Sequence, residues 1–398
     1  MQKTPTNQSC GIDPGPVFVV RCDLGQGNYK VAVKDVINIA GFSTKAGSKS
    51  LEKTNICLDS AVVVDELLKR DCSIIGKTTL HELAYGVTGL NEWAGTPVNV
   101  EYPSLIPGGS SSGSAVAVSA KLCDFSIGTD TGGSVRVPAA CCGVYGLKPT
   151  YGRISREGLT PAESSLDCVG PLAASADMLL KAIRAMDPSF RKLDSAQYEQ
   201  VGWIPSNASP VMAHEVHTQI TSLGISPTDC PVEGFAEAHQ AGMTIIASET
   251  YAAFSDLLET GLVGGDVAGR LAKARDITPQ MLSDAELVRE KFTISVDKAF
   301  ERFDILALPT LPDFPPRIED ASDLMRMVAI TSLCRPFNLS GHPAIAVPLG
   351  KYKNQPVSLQ LVAPKGEDER LVAIALEIEH ALASLTLSKH HQPEAPHA

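Results

Sequence analysis

The run from Gly108 to Ser134, "GGSSSGSAVAVSAKLCDFSIGTDTGGS", limits most strongly what this chain can fold into. A Gly-Ser loop leads into "SAVAVSAKL", which reads as a helix of very small residues opened by a serine cap. "DFSIGTD" then reads as a short strand. Small side chains let a helix approach other backbone closely, so this helix is expected at the centre of a domain. The passage that follows, Thr129 to Thr150, is also small and apolar. Yet it carries Asp130, Thr131, Ser134 and Arg136 around the pair Gly132-Gly133. Polar groups inside a tightly packed run need partners or a task.

The surrounding pattern is α/β. "NYKVAVKD" reads as a β-like run. "SAVVVDELLKRDCSIIGKTTL" reads as a helix followed by a short strand, Ser73 to Ile75, an αβ unit of the sort that builds open sheets. From 177 to about 297 the pattern is mostly helical. "FDILALPTLP" reads as a buried strand, "HPAIAVPLG" and "PVSLQLVAP" as a β-pair, and "DERLVAIALEIEHALASL" as a closing amphipathic helix. We expect one domain over 1–388. Its parts are a core at about 31–176, a divergent helical middle at 177–297, and C-terminal strands and helix at 304–387. A disordered tail is expected at 389–398.

Composition narrows the task. A net charge of -11 argues against nucleic-acid binding, because no excess of Lys and Arg is available to displace counterions. No segment is apolar for long enough to span a membrane. The ten cysteines are scattered without a CxxC pair, which fits a reduced, cytoplasmic protein with buried thiols and no metal site. Three tempting motifs fail on chemistry. "GKTTL" at Gly76 has Asp71 where a phosphate loop needs glycine. "HEVH" at His214 lacks the spacing that puts two zinc ligands on one helix face. "GSSSG" at Gly109 follows a proline-rich loop, whereas a nucleophile elbow follows a strand.

What remains is serine chemistry. A serine hydroxyl needs a base within hydrogen-bond reach and donors aimed at the developing oxyanion. Gly132 and Gly133 can turn backbone N–H groups towards one point beside Ser134. No histidine lies in either Gly-Ser segment, so a histidine base would have to come from elsewhere in the chain.

The blocks "GGSSSGSAVAVSA" and "IGTDTGGSVRVPAACCGVYGLKPTYG" resemble the defining segment of the amidase signature family. "VAVKD" upstream is similar to the family's lysine motif, and "DILALPTLP", "NLSGHPAIAVPLG" and "PVSLQLVAPKGEDERLVAIALEIE" resemble its C-terminal elements. The resemblance runs from about Val31 to Glu379 and thins in the middle. It implies a single α/β domain, a large mixed open β-sheet flanked by helices on both faces. It also implies a triad of Ser134 as nucleophile, Ser110 as a bridging serine on a cis peptide, and Lys34 as base. Lys77 in "GKTT" matches another family block, and there it is not the catalytic lysine. The implied oxyanion donors are the N–H groups of Thr131, Gly132, Gly133 and Ser134. Ser111 is a supporting candidate. Asp130 and Arg136 read as buried structural charges, with Arg136 also a candidate for meeting a substrate carboxylate.

Lys34 works as a base only if neutral, which burial away from carboxylates favours. Asp35 is its neighbour, but successive strand residues face opposite ways, so that carboxylate is expected to point away. The expected reaction is cofactor-free hydrolysis of a small carboxamide through an acyl-enzyme. "GGSSSGS" resembles indole-3-acetamide amidases of the plant type, which makes indole-3-acetamide or a related aryl or alkyl amide the leading substrate. The alternatives are a glutaminase-type subunit of an amidotransferase complex, or an esterase or carbamate hydrolase on the same fold. A homodimer is the candidate assembly of the lone chain.

Overall fold

A computed structural model describes residues 12–196, 198–322 and 324–390. Its strands are β1 (Phe18–Leu24), β2 (Tyr29–Lys34), β3 (Cys72–Thr78), β4 (Phe125–Asp130), β5 (Tyr145–Lys148), β6 (Cys168–Ala173), β7 (Val201–Trp203), β8 (Thr228–Asp229), β9 (Ile305–Pro309), β10 (Ala344–Tyr352) and β11 (Gln355–Val362). Among the described residues these make one 11-stranded sheet in the order β1-β3-β2-β4-β6-β5-β10-β11-β9-β7-β8. The sheet is mixed: β3, β2 and β4 run parallel, β4 through β9 pair antiparallel, and β9, β7 and β8 are parallel again.

The helices are α1 (Val62–Leu68), α2 (Ser112–Ser119), α3 (Arg136–Cys142), α4 (Ala176–Met186), α5 (Pro210–Ser222), α6 (Phe235–Phe254), α7 (Gly265–Ala274), α8 (Pro279–Ala299), α9 (Leu324–Ala329), α10 (Arg335–Leu339) and α11 (Asp368–His390). They cover the sheet on both faces, and β2 shows how. Val31 and Val33 join the core with α1 and α4, whereas Ala32, one step out of phase, packs with α2 and α3. Lys34 therefore shares the α2/α3 face with Ala32.

The small-residue helix is central, as expected. Ser112 through Val118 of α2 are all buried. A Cβ on Gly113 would lie 2.5 Å from the Thr79 carbonyl oxygen, so backbone passes where a side chain would stand. The serine cap is not formed. Ser111 at the N-cap makes no side-chain capping bond, and its hydroxyl donates to the Thr129 carbonyl at 3.2 Å. Ser114 donates to the Ile127 carbonyl instead of capping.

Other boundaries shift for physical reasons. β3 extends beyond Ile75 to Thr78, through Gly76 and Lys77, residues that seldom signal a strand. Glycine is required there because β1 crosses so closely that a Cβ would sit 2.4 Å from the Val20 carbonyl oxygen. The helical middle also contributes β7 and β8, too short to show any periodicity. Helix α11 continues to His390, past the expected start of the tail, and 391–398 lie outside the described residues. The nine described cysteines are all free, and Cys72, Cys141, Cys142, Cys168, Cys230 and Cys334 are buried. No described helix is long and apolar enough to cross a membrane.

Candidate active site

Three chain segments meet on the α2/α3 face of the sheet. Lys34 ends β2, Ser110 precedes α2 just after a cis Gly109–Ser110 peptide, and Ser134 lies in the loop from β4 to α3. Lys34 Nζ donates to Ser110 Oγ at 2.7 Å, to Thr129 Oγ1 at 2.9 Å and to the Thr129 carbonyl at 3.4 Å. Among the described residues no carboxylate touches it. Burial pushes this lysine down to about 7, against the pull of Asp167 and Asp130 at longer range. Near neutral pH a large fraction is thus free amine, able to accept a proton.

Ser134 is 8 % exposed, the one serine of the cluster with an open side. Its carbonyl accepts from the Ser111 N–H at 3.2 Å, which ties the two serine loops together. Its hydroxyl makes no hydrogen bond among the described residues. The Lys34–Ser110 link is therefore formed, and the Ser110–Ser134 link is not closed by a hydrogen bond.

The loop carrying Ser134 is held by one ion pair. Arg136 Nε and Nη2 each donate to the Asp130 carboxylate at 2.9 Å. Burial raises the Asp130 carboxyl, but the Arg136 charge and hydrogen bonds outweigh it and hold the group well below the usual carboxylate range. The same carboxylate accepts the N–H groups of Gly133 at 2.7 Å and Val135 at 3.2 Å. Gly133 donates its N–H to Asp130, whereas the N–H groups of Thr131, Gly132 and Ser134 have no acceptor among the described residues. Arg136 also bonds the Cys334 carbonyl, Gln360 Oε1 and Asn338 Oδ1. It has no exposure and no donor to spare for a substrate carboxylate. Gly133 itself has φ 118°, and a Cβ there would lie 2.8 Å from Cys334 Cβ, so glycine is needed at this point of the turn.

Lys77 is built differently. It pairs with Asp35 at 2.7 Å and donates to Ser43 O and Thr44 Oγ1 on the other face of the sheet. Asp35 does face away from Lys34, as the strand alternation predicts. Several residues around the site carry no local motif. Asp167 accepts from Thr131 Oγ1 at 2.8 Å and pairs with Arg156. Asn338 donates to the Asp130 carbonyl at 2.6 Å. Arg335 Nε lies 2.9 Å from where a Cβ on Gly132 would be. Only the "RPFNLSG" block hints at the last two.

A β-sheet of this order brings a lysine, a cis-linked serine and a loop serine together on one face. The chain belongs to the amidase family, whose model, described as Amidase, matches residues 30–218 and 200–372. It is an enzyme acting on amide C–N bonds. A glutamyl-tRNA(Gln) amidotransferase subunit from Methanospirillum hungatei is 32 % identical over 401 residues, covering 89 % of this chain and 92 % of its own. The solved glutamyl-tRNA(Gln) amidotransferase subunit from Thermotoga maritima superposes with a TM-score of 0.77 at 26 % identity, over 92 % of this chain and 88 % of that one. A structure from a vestigial protein complex, linked to the evolutionary origins of an s-triazine catabolic enzyme, reaches 0.82 at 28 % identity over 90 % and 85 %.

Proposed function

We propose that the chain hydrolyses a carboxamide through an acyl-enzyme on Ser134. The observation that carries this reading is the 2.7 Å bond from a buried, partly neutral Lys34 to Ser110 Oγ. Lys34 takes the Ser110 proton as Ser110 takes the Ser134 proton, and Ser134 Oγ attacks the amide carbon. The N–H groups of Thr131, Gly132 and Ser134 hold the oxyanion, each donor worth about 10²–10³ in rate. The C–N bond then breaks, the relay returns a proton to the leaving nitrogen, and water releases the acid from Ser134.

For the substrate, the amidotransferase relatives favour a glutaminase-type role within such a complex over hydrolysis of indole-3-acetamide. In that role the side-chain amide of glutamine is the acyl donor and a partner chain receives the ammonia. Ammonia release by the lone chain from glutamine, indole-3-acetamide, phenylacetamide and benzamide tests this reading. Glutamine turnover that rises when a partner copurifies supports it; fast turnover of indole-3-acetamide alone returns the chain to a free-standing amidase. Size exclusion separates monomer, homodimer and mixed complex. Ser134→Ala is expected to abolish both turnover and labelling by a fluorophosphonate, and retained labelling would move the nucleophile elsewhere.

A further inference from the structure

Four arginines lie around the site, and three of them are already matched, Arg156 by Asp167. Arg136 is spent on Asp130. Arg270 on α7 donates to Asp266 Oδ2 at 2.5 Å and lies over the Tyr85 ring at 5.0 Å. Arg335, which opens α10, pairs with no carboxylate among the described residues. Its Nη1 reaches His239 Nδ1 at 3.1 Å. Burial and the guanidinium itself push that imidazole down to about 4, so the ring is a neutral acceptor and brings no counter-charge. Arg335 Nε is fully enclosed with no partner at all. Burial lowers the guanidinium to about 10, still charged at neutral pH. Arg335 is half-buried with its Nε enclosed, and with no carboxylate against it among the described residues its guanidinium has donors free for an anionic ligand.

Its position says which ligand. The side chain threads between Gly242 on α6 and Gly132 in the Ser134 loop. A Cβ on Gly242 would lie 2.8 Å from Arg335 Cγ, and one on Gly132 would lie 2.9 Å from Nε. Glycine at both places is what lets the guanidinium reach this point. Gly132 also offers one of the free N–H donors, so the cation adjoins the place where an amide oxygen would be held. Ile246 Cδ1 supplies an apolar wall 3.1 Å from the same Gly132 position. A guanidinium fork matches a planar carboxylate with two parallel bonds.

We infer that the substrate is a carboxamide that also bears a carboxylate, and that Arg335 binds that carboxylate. This rests on the acyl-enzyme reading for Ser134. Adjacency to Gly132 limits the spacer to about one to three carbons at ~1.5 Å each. Malonamate, succinamate and glutamine fall in this range; indole-3-acetamide has no group for Arg335 to meet.

The test compares kcat/KM for ammonia release from malonamate, succinamate and glutamine with that from propionamide, butyramide and phenylacetamide. Wild type is expected to favour the best anionic amide by about 10²-fold or more over its neutral counterpart. Arg335→Met is expected to erase that preference, with a smaller loss on the neutral amides, and Arg335→Lys to restore part of it. Labelling of Ser134 by an uncharged fluorophosphonate shows that each variant is folded with its site assembled. Independently, malonate or succinate, as product-like ligands, should raise the melting temperature of wild type and not of Arg335→Met. A wild type indifferent to the carboxylate, or a preference that survives Arg335→Met, overturns the proposal while Ser134 labelling leaves the acyl-enzyme standing. Labelling that persists in Ser134→Ala overturns the acyl-enzyme instead, and a dicarboxylate shift lost in Arg335→Met would still uphold the anion site.

Discussion

Lys34 and Lys77 lie on neighbouring parallel strands, both with no exposure, and they have opposite surroundings. The ladder sets Val33 across from Lys77 and Lys34 across from Thr78, so the two lysines project from opposite faces of the sheet. On one face Lys77 meets the Asp35 carboxylate at 2.7 Å. On the other, Lys34 meets two hydroxyls and a carbonyl and is held at about 7. Equal burial thus yields an ion pair in one place and a lysine held at about 7 in the other. The contacting partner decides, and a single alternation of the strand delivers Asp35 to Lys77 and withholds it from Lys34.

Replacing each lysine should break this comparison in different measurements. Lys34→Met removes the proposed base and strands no carboxylate among the described residues, and kcat is expected to fall about 10²–10⁴-fold in a protein that still folds. Circular dichroism and ammonia release report the two halves of that statement. Lys77→Met should do the reverse. It strands the Asp35 carboxylate in a buried site, where burial already raises its pKa. Urea unfolding is expected to show a loss of about 3–5 kcal/mol near neutral pH. The deficit should narrow at lower pH, because a protonated Asp35 needs no counter-charge. The folded fraction should keep its turnover. If Lys77→Met were stable and inactive, the two lysines would have to exchange roles.

The same contrast explains what could be read from residues in order. Lys34, Ser110 and Ser134 sit in long ordered blocks, and the outward turn of Asp35 follows from the two-residue period of a strand. Strands β10 and β11 and the small-residue helix were legible because burial on both faces leaves an apolar signature. Arg335 was not legible. Its significance is the lack of a carboxylate around it among the described residues, a property of α6, α10 and the Ser134 loop together. The engagement of the Gly133 N–H was not legible for a related reason: it depends on where Asp130 turns its carboxylate. Arg136 looked able to serve a ligand until Asn338, Gln360 and the Cys334 carbonyl claimed its donors.

The smallest expected effect concerns how finely Lys34 is tuned. With its pKa near 7, activity governed by the free amine should rise with pH along an acid limb centred at about 7. Burial sets most of the depression, and Asp167 opposes it because a nearby negative charge favours the ammonium. Asp167→Asn keeps an oxygen for the Thr131 hydroxyl but removes that charge. The ammonium then loses support, its pKa falls, and the limb should move to lower pH by less than about one unit. A kcat/KM profile on a fixed amide, from about pH 5 to about pH 9, measures it. A limb that stayed fixed while Lys34→Met abolished turnover would mean that Lys34 is tuned by its contacts alone and that Asp167 serves only to hold Thr131 and Arg156 in place; a limb that moved upward would mean that it reports a group other than Lys34.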